Sequence, residues 1–348
     1  MSGTVVFVWR RIPPPFLIGG AEVSQQLLAE EFAAAGWRVI YVASHEPPWA
    51  QVSELPSMLD HLAKAGVPHS QHGGSLAYTS RGVQVRAVPR DRVEAELETV
   101  LTVDRPDLVV TSQEGSAELA AAARGRGVKV AGWLHSVSKT GMHVLGGRPH
   151  VALATSRFVL SRTPPEQAAV VFYPPFRGPG SCHHEPHAGG DLLMVNPVPA
   201  KGSGLVHRLA EALPHRRFTL VEGWWDTSAD FARHPNVVWV PRTYDMAPLY
   251  RMHRLLLVPS TCEDAYPRVI VEAALAGRPT IGSTRGGIPE AVADPGMLAP
   301  PDDLDAWAAL IEGLDRQALA VAGEGAWRRA VPMTRLCLPE LAAAGVLP

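Results

Sequence analysis

The sequence predicts an α/β fold of two doubly wound, Rossmann-like parallel-sheet domains, and three observations carry that prediction. Short apolar runs alternate with segments of helical period along most of the chain. The alternation is interrupted by an aperiodic stretch rich in Pro, Gly and His, from Tyr173 to Gly190. At 348 residues with 46% hydrophobic content, the chain exceeds the ~250 to 300 residues at which one core stops growing and can fill two.

The first half opens on an apolar run, Val5 to Trp9, of the kind that forms a fully buried strand. "GGAEVSQQLLAEEFAAAG" follows, with Val23, Leu27, Leu28 and Phe32 at helical period and Gly36 as a natural stop. "WRVIYVAS" is the next strand, and Glu46 to Ser80 reads as an irregular excursion from the sheet. The rhythm resumes with "DLVVTS", "SAELAAAARGRG", "VKVAGWLHS" and "VALATS", which predicts a parallel sheet covered by helices on both faces. Residues 1–175 are therefore assigned to an N-terminal domain and 176–190 to a linker.

Residues 191–330 repeat the pattern: "LLMVNP", "SGLVHRLAEAL", "RFTLVEG", "NVVWVP", "DMAPLYRM", "RLLLVPS", "RVIVEAALAG", "PTIGS" and "PEAVA". Residues 331–348 form a helical tail, expected to pack back on the N-terminal domain. Two such halves are expected to face a central cleft.

Composition excludes several classes. With 32 Lys+Arg against 34 acids, the net charge of -2 creates no field that would favour nucleic acid or an anionic membrane. Three widely spaced cysteines, Cys182, Cys262 and Cys337, argue against a disulfide framework and fit a reducing compartment. The apolar run at the N-terminus is too short for a signal or membrane segment, so a cytoplasmic location is expected. Neither half contains the glycine-rich dinucleotide motif or a P-loop, and the commonest zinc-protease and serine-hydrolase motifs are missing.

What remains is chemistry at strand ends. In "TCEDAYPRVIVEAALAGRPTIGSTRGGIPEAV", Asp264 stands in the turn leaving a buried strand, and Glu272 follows inside an apolar run with seven residues between them. Pro267 suits the first helical position. That helix start can hold phosphate on its backbone amides, and the two acids, about two turns apart on one face, can accept sugar hydroxyls. A capping Asp and a Glu satisfied by a neighbouring Arg fit the same spacing.

The same stretch resembles the signature of retaining glycosyltransferases of family 4, a GT-B fold group whose pattern runs acid, seven residues, Glu, then A-x-G-x-P and G-G-x-P-E. "GGAE", "LHS", "ATS" and "NPVPAKG" match in the expected order, so the resemblance spans nearly the whole chain. It implies that Glu272 binds ribose hydroxyls and Asp264 the transferred sugar, with the amides of Ala265, Tyr266 and Arg268 near the diphosphate. It implies that Lys201, with Gly202 beside it, neutralises the diphosphate. The chain has four lysines against 28 arginines, so a lysine here is an uncommon choice.

By the same resemblance, Gly19 and Gly20 form a glycine loop near the donor, His135 faces the donor sugar, and Gly286, Gly287 and Glu290 form a second glycine turn. Taken by themselves these are a tight turn, a strand-end histidine and a first-turn acid.

Three positions depart from the family pattern. The first acid is Asp264 rather than Glu, with Glu263 beside it as a substitute. Pro267 replaces a glycine and removes a backbone donor. Asn196 stands where an arginine commonly precedes the lysine, and Arg268 or Arg10 would have to supply its charge.

Other features are weaker. Cys182, His183, His184, Glu185 and His187 are metal-capable residues without a zinc spacing, so no metal is expected. Trp224 and Trp225 could stack on a base or sugar, or serve as core and surface aromatics. Arg81, Arg86, Arg90 and Arg92 are answered by Asp91, Glu94, Glu96 and Glu98 and read as a solvated face.

The expected function is thus transfer of a sugar from a nucleotide diphosphate donor to a hydroxyl acceptor with retention, by a hexosyltransferase-type enzyme without a cofactor beyond its nucleotide-sugar co-substrate. A soluble acceptor is favoured over a membrane lipid, and nucleic acid is not expected as a partner. A GT-B nucleotide-sugar epimerase and an inactive nucleotide-sugar-binding protein are the alternatives.

Overall fold

The computed structural model describes residues 3–16, 19–49, 52–178, 191–223, 225–243 and 245–347. The chain divides into two units, Met1–Pro175 with Leu336–Pro348, and Phe176–Arg335.

Unit 1 carries, among the described residues, a nine-stranded sheet. Its strands are β1 (Thr4–Val8), β2 (Arg38–Ser44), β3 (His69–His72), β4 (Ser75–Ser80), β5 (Val83–Val88), β6 (Leu108–Thr111), β7 (Lys129–Leu134), β8 (Val151–Ala154) and β9 (Ala169–Val171). Their order is β3-β4-β5-β2-β1-β6-β7-β8-β9. All pairings are parallel except those of β4 with β3 and β5. The winding reverses between β1 and β6. The helices of this unit are α1 (Gly20–Ala34), α2 (Leu55–Lys64), α3 (Val93–Val103), α4 (Ser116–Gly125) and α5 (Arg157–Ser161).

The expected excursion at 46–80 is ordered: it contains α2 and a hairpin of β3 and β4. His72 pairs with Ser75 across Gly73 and Gly74, both at positive φ (54° and 84°), the turn that matches strand twist. β3 is exposed at every position, which is why no hydrophobic pattern marked it.

The core of unit 1 forms because β1, β6 and β8 are almost wholly apolar and covered on both faces. Phe7, Trp9, Phe32 and Tyr41 interlock in it, with Phe7 stacked on Tyr41 at 5.8 Å. α1 departs from its predicted face. Leu28 and Phe32 are buried, but so are Glu22, Ser24, Gln25 and Gln26, while Val23 and Leu27 are half-buried. These polar groups are partnered: the Gln25 Nε2 donates to Ser112 Oγ at 2.6 Å, and Glu22 meets Arg11.

Unit 2 carries a six-stranded sheet among the described residues: β10 (Leu192–Val195), β11 (Phe218–Val221), β12 (Val237–Val240), β13 (Leu255–Val258), β14 (Thr280–Ser283) and β15 (Leu298–Ala299). It is parallel throughout in the order β12-β11-β10-β13-β14-β15, so its winding reverses between β10 and β13. Its helices are α6 (Ser203–Ala212), α7 (Ser228–Phe231), α8 (Ala247–Met252), α9 (Arg268–Leu275), α10 (Ile288–Val292), α11 (Leu304–Gly313) and α12 (Arg316–Ala330). The core gathers Leu193, Leu205, Leu209, Leu220, Leu256, Ile281 and the fully buried Trp307.

After a short turn at Val331–Thr334 comes α13 (Leu338–Ala343), which belongs to unit 1. The amides of Cys337 and Leu338 donate to Glu31 Oε1 at 2.6 and 2.8 Å, and Leu341 and Val346 enter the core of unit 1. Phe176, placed in the linker by the sequence reading, packs in unit 2 with Val271, Leu275 and Ala330. Cys182, His183, His184, Glu185 and His187 lie outside the described residues. Among the described residues no helix is long and apolar enough to cross a membrane.

Candidate active site

The motif residues of unit 2 gather where its sheet reverses winding, at the carboxyl ends of β10 and β13. In doubly wound sheets that switch point is where ligands bind. Lys201 comes from the loop after β10, Asp264 from the loop after β13, and their side chains form an ion pair.

Backbone contacts hold the two loops in register. The amides of Thr261 and Cys262 donate to the Ala200 carbonyl at 3.1 and 3.2 Å. Gly202 permits this approach: its φ is +90°, and a Cβ there would lie 2.1 Å from the Pro259 carbonyl oxygen. On the other side, the Gly287 amide donates to the Asp264 carbonyl at 2.6 Å. A Cβ on Gly286, at φ +57°, would come within 2.4 Å of that same oxygen. The glycine turn 286–287 is therefore a backbone cradle for the Asp264 turn.

The Asp264 side chain is 13% exposed. Oδ1 faces Lys201, and Oδ2 is buried without a hydrogen-bond partner among the described residues. An unsatisfied buried acceptor costs about 1–3 kcal/mol, so this oxygen is suited to accept a ligand hydroxyl.

Glu272 lies on α9. Its Oε2 accepts from the Tyr250 hydroxyl at 3.0 Å and its Oε1 from Arg268 Nε at 3.1 Å. The sequence reading placed Glu272 within a buried run. Instead Val271, Ala273 and Ala274 turn inward, and the Glu272 side chain is 29% exposed, because helical rotation carries it away from its apolar neighbours. A carboxylate has about four lone-pair sites, so two hydrogen bonds leave capacity for ribose-type hydroxyls. Burial, reinforced by the Glu272 charge, raises the Tyr250 hydroxyl well above its ordinary range and keeps it a donor.

Two helices begin at this edge, α6 after Gly202 and α9 after Pro267, and neither N-terminus is capped by a side chain. Both dipoles favour an anion. Pro267 is the cap itself, one residue earlier than expected, and helix begins at Arg268. Arg268 is 7% exposed, paired with Glu272, and stacks over Phe176 at 4.3 Å. Arg10 is paired with Glu94.

Asn196 has a structural reason. Its φ is +58°, a left-handed backbone that Asn tolerates better than most residues, and its backbone N–H donates to the Val221 carbonyl at 2.9 Å. Glu263 is exposed, Ala265 buried and Tyr266 half-buried. The Cys262 thiol is raised by burial and by Asp264, with Lys201 opposing, so it is a weak nucleophile.

Gly19, Gly20 and His135 lie in unit 1. Gly19 caps α1 through its carbonyl, which accepts from Val23 at 3.1 Å, and Gly20 is the first helical residue. His135 follows β7 and packs against Trp133 with centroids 4.6 Å apart. Trp225 is 57% exposed, while Trp224 lies outside the described residues. Sequence reasoning missed Tyr250, whose role depends on a contact with Glu272 across 22 positions.

Residues 206–316 match the family model described as Glycosyl transferases group 1, a span that includes Asp264 and Glu272. A D-inositol 3-phosphate glycosyltransferase of Mycobacteroides abscessus is 32% identical over 148 residues, which cover 38% of this chain and 32% of that relative's length. Among solved structures, the sucrose-phosphate synthase of Thermosynechococcus elongatus superposes with a TM-score of 0.74 at 16% identity, covering 98% of both chains. Anabaena Alr3699/HepE in complex with UDP-glucose gives 0.73 at 16% identity, covering 98% of this chain and all of that one. The chain has the GT-B fold, and its residues 206–316 match the glycosyl transferases group 1 model.

Proposed function

We propose that this protein is a retaining glycosyltransferase that moves a sugar from a nucleotide diphosphate donor, held by unit 2, to a hydroxyl acceptor. The observation that carries the reading is the meeting of Lys201 and Asp264 at the β10/β13 switch point, with Glu272 on the adjoining helix. The relative named for glycosyl transfer and the HepE complex with UDP-glucose support it.

Each group has a chemical task. Lys201 and the starts of α6 and α9 offset the charge that develops on the leaving diphosphate, which preorganised donors can do at no reorganisation cost. Glu272 accepts the ribose hydroxyls, and Asp264 Oδ2 accepts a sugar hydroxyl. Retention follows if the leaving phosphate oxygen takes the acceptor proton on the face it departs from, which requires no protein nucleophile or metal. The acceptor is a soluble molecule, and the reaction is cytoplasmic.

The test is a transfer assay with UDP-, GDP-, ADP- and dTDP-sugars, read by product mass and anomeric NMR. A transferred sugar of the donor's own anomeric configuration supports the proposal. An epimerised free donor, or inversion at the anomeric carbon, contradicts it.

A further inference from the structure

Arg268 is placed against three local preferences. It opens α9, where the positive end of the helix dipole disfavours a cation. Its side chain is buried, which a guanidinium seldom is unless paired. It precedes its partner Glu272 by four residues, and in such helical pairs the acid is better placed first. Conflicts of this kind between local rule and structure concentrate at functional sites.

What the placement achieves is a fixed carboxylate. Arg268 Nε donates to Glu272 Oε1 at 3.1 Å, and the Tyr250 hydroxyl donates to Oε2 at 3.0 Å. Each oxygen of the partly exposed Glu272 is thus held from the protein side by a buried residue. Tyr250 is anchored in the main core of unit 2. Arg268 is anchored by a ring, since its guanidinium carbon lies 4.3 Å from the Phe176 centroid. Phe176, the first residue of unit 2, is itself buried against Val271, Ala274 and Leu275 of α9 and Ala330 at the end of α12. Support therefore runs from the Phe176 ring through Arg268 to Glu272 Oε1.

A glutamate free to rotate gives up rotamers when a ligand orders it, and that loss is subtracted from affinity. A carboxylate already held at both oxygens presents its remaining lone pairs in fixed directions and loses little more. The gain goes only to a ligand that offers hydroxyls to those lone pairs.

We infer that Phe176 and Arg268 are positioning residues: by holding the Glu272 carboxylate they make the protein distinguish a nucleotide from its analogue lacking a ribose hydroxyl. This rests on the glycosyltransferase reading, in which Glu272 accepts the ribose hydroxyls.

The experiment is calorimetry with UDP, GDP, ADP and dTDP, followed by comparison of the nucleotide that binds with analogues lacking one of its ribose hydroxyls. Wild type, Phe176→Leu and Arg268→Lys are measured, each checked for its fold by circular dichroism. Leu keeps the apolar packing and removes the aromatic face, whereas Lys keeps the charge and removes the planar guanidinium. Wild type should prefer the complete nucleotide over at least one analogue by about tenfold or more, as expected for a hydrogen bond to a charged group. In both variants that preference should shrink to about threefold or less, with affinity for the analogue little changed. A purely structural role would weaken both ligands alike. Added to Glu272→Ala, Phe176→Leu should alter the preference no further. The inference is overturned if wild type does not discriminate, if either folded variant keeps the wild-type preference, or if Phe176→Leu still changes it without Glu272. Failure of all four nucleotides to bind wild type rejects the donor reading itself, whereas binding with an unchanged preference in the variants rejects the positioning role alone.

Discussion

Lys201 and Asp264 are 63 positions apart in sequence and joined as an ion pair at the reversal point of one parallel sheet. The cation assigned to the diphosphate is therefore engaged by the acid assigned to the sugar. In the proposed reading, donor binding divides that pair between two parts of one ligand.

Asp264→Asn consequently separates binding from turnover. Freed of its partner charge, Lys201 should hold a plain nucleoside diphosphate more tightly, by a factor of about 3 to 10, since a hydrogen bond to a charged group is worth ~1.5–3 kcal/mol and only part of it is released. Transfer should fall by at least about tenfold because the sugar loses its carboxylate. Calorimetry and initial rates, measured together, check both; weaker nucleotide binding would contradict the assignment of Lys201.

Lys201→Ala should lower turnover by roughly 10²–10³, the usual effect of removing one preorganised charge-stabilising donor. It also leaves the 13% exposed Asp264 uncompensated, so a modest fall in melting temperature is expected with the fold retained by circular dichroism. Rates near wild type would exclude Lys201 from the site.

Two glycines at the start of α6 should respond in opposite directions. Gly202→Ala forces a left-handed residue against the Pro259 carbonyl and should cost at least about 2 kcal/mol along with activity. Gly204, two residues on in α6, faces open space, and Gly204→Ala should be neutral or stabilise by up to ~1 kcal/mol. Chemical denaturation of both variants tests this.

His253 links unit 2 to pH. It is 4% exposed, with Nδ1 2.7 Å from the Leu249 carbonyl and Nε2 2.7 Å from Thr219 Oγ1, a geometry that fits a neutral ring donating to Leu249 and accepting from Thr219. Burial holds its pKa below the ordinary value of about 6.5. Folding thus favours the neutral form, and its contribution is complete above about pH 6.5 and lost as pH falls through the lowered native value. Unfolding free energy measured from pH 7.5 to 5 should decline less steeply in His253→Gln than in wild type.

The parallel strands could be read from sequence because burial on both faces leaves unmixed apolar runs such as "LLLV" and "TVVFV". β3, "HSQH", has no such run; its one signal was the Gly73–Gly74 pair that closes the hairpin. In the site, Asp264, Glu272 and Lys201 stood out through spacing and rarity. Tyr250 did not, because a partner 22 positions away leaves no local pattern. The polar positions of α1 were a readable warning: Glu22 and Gln25 occupy the face that a purely structural helix would fill with Leu or Ala.

The most direct test of the central claim is a thermal-shift titration of wild type and Glu272→Ala with UDP, GDP, ADP and dTDP, since a ligand that binds the folded state raises its melting temperature by mass action. The account predicts a concentration-dependent rise with one nucleotide that is lost or greatly reduced in Glu272→Ala. A wild type that none of the four stabilises, or a rise that survives the substitution unchanged, would contradict it.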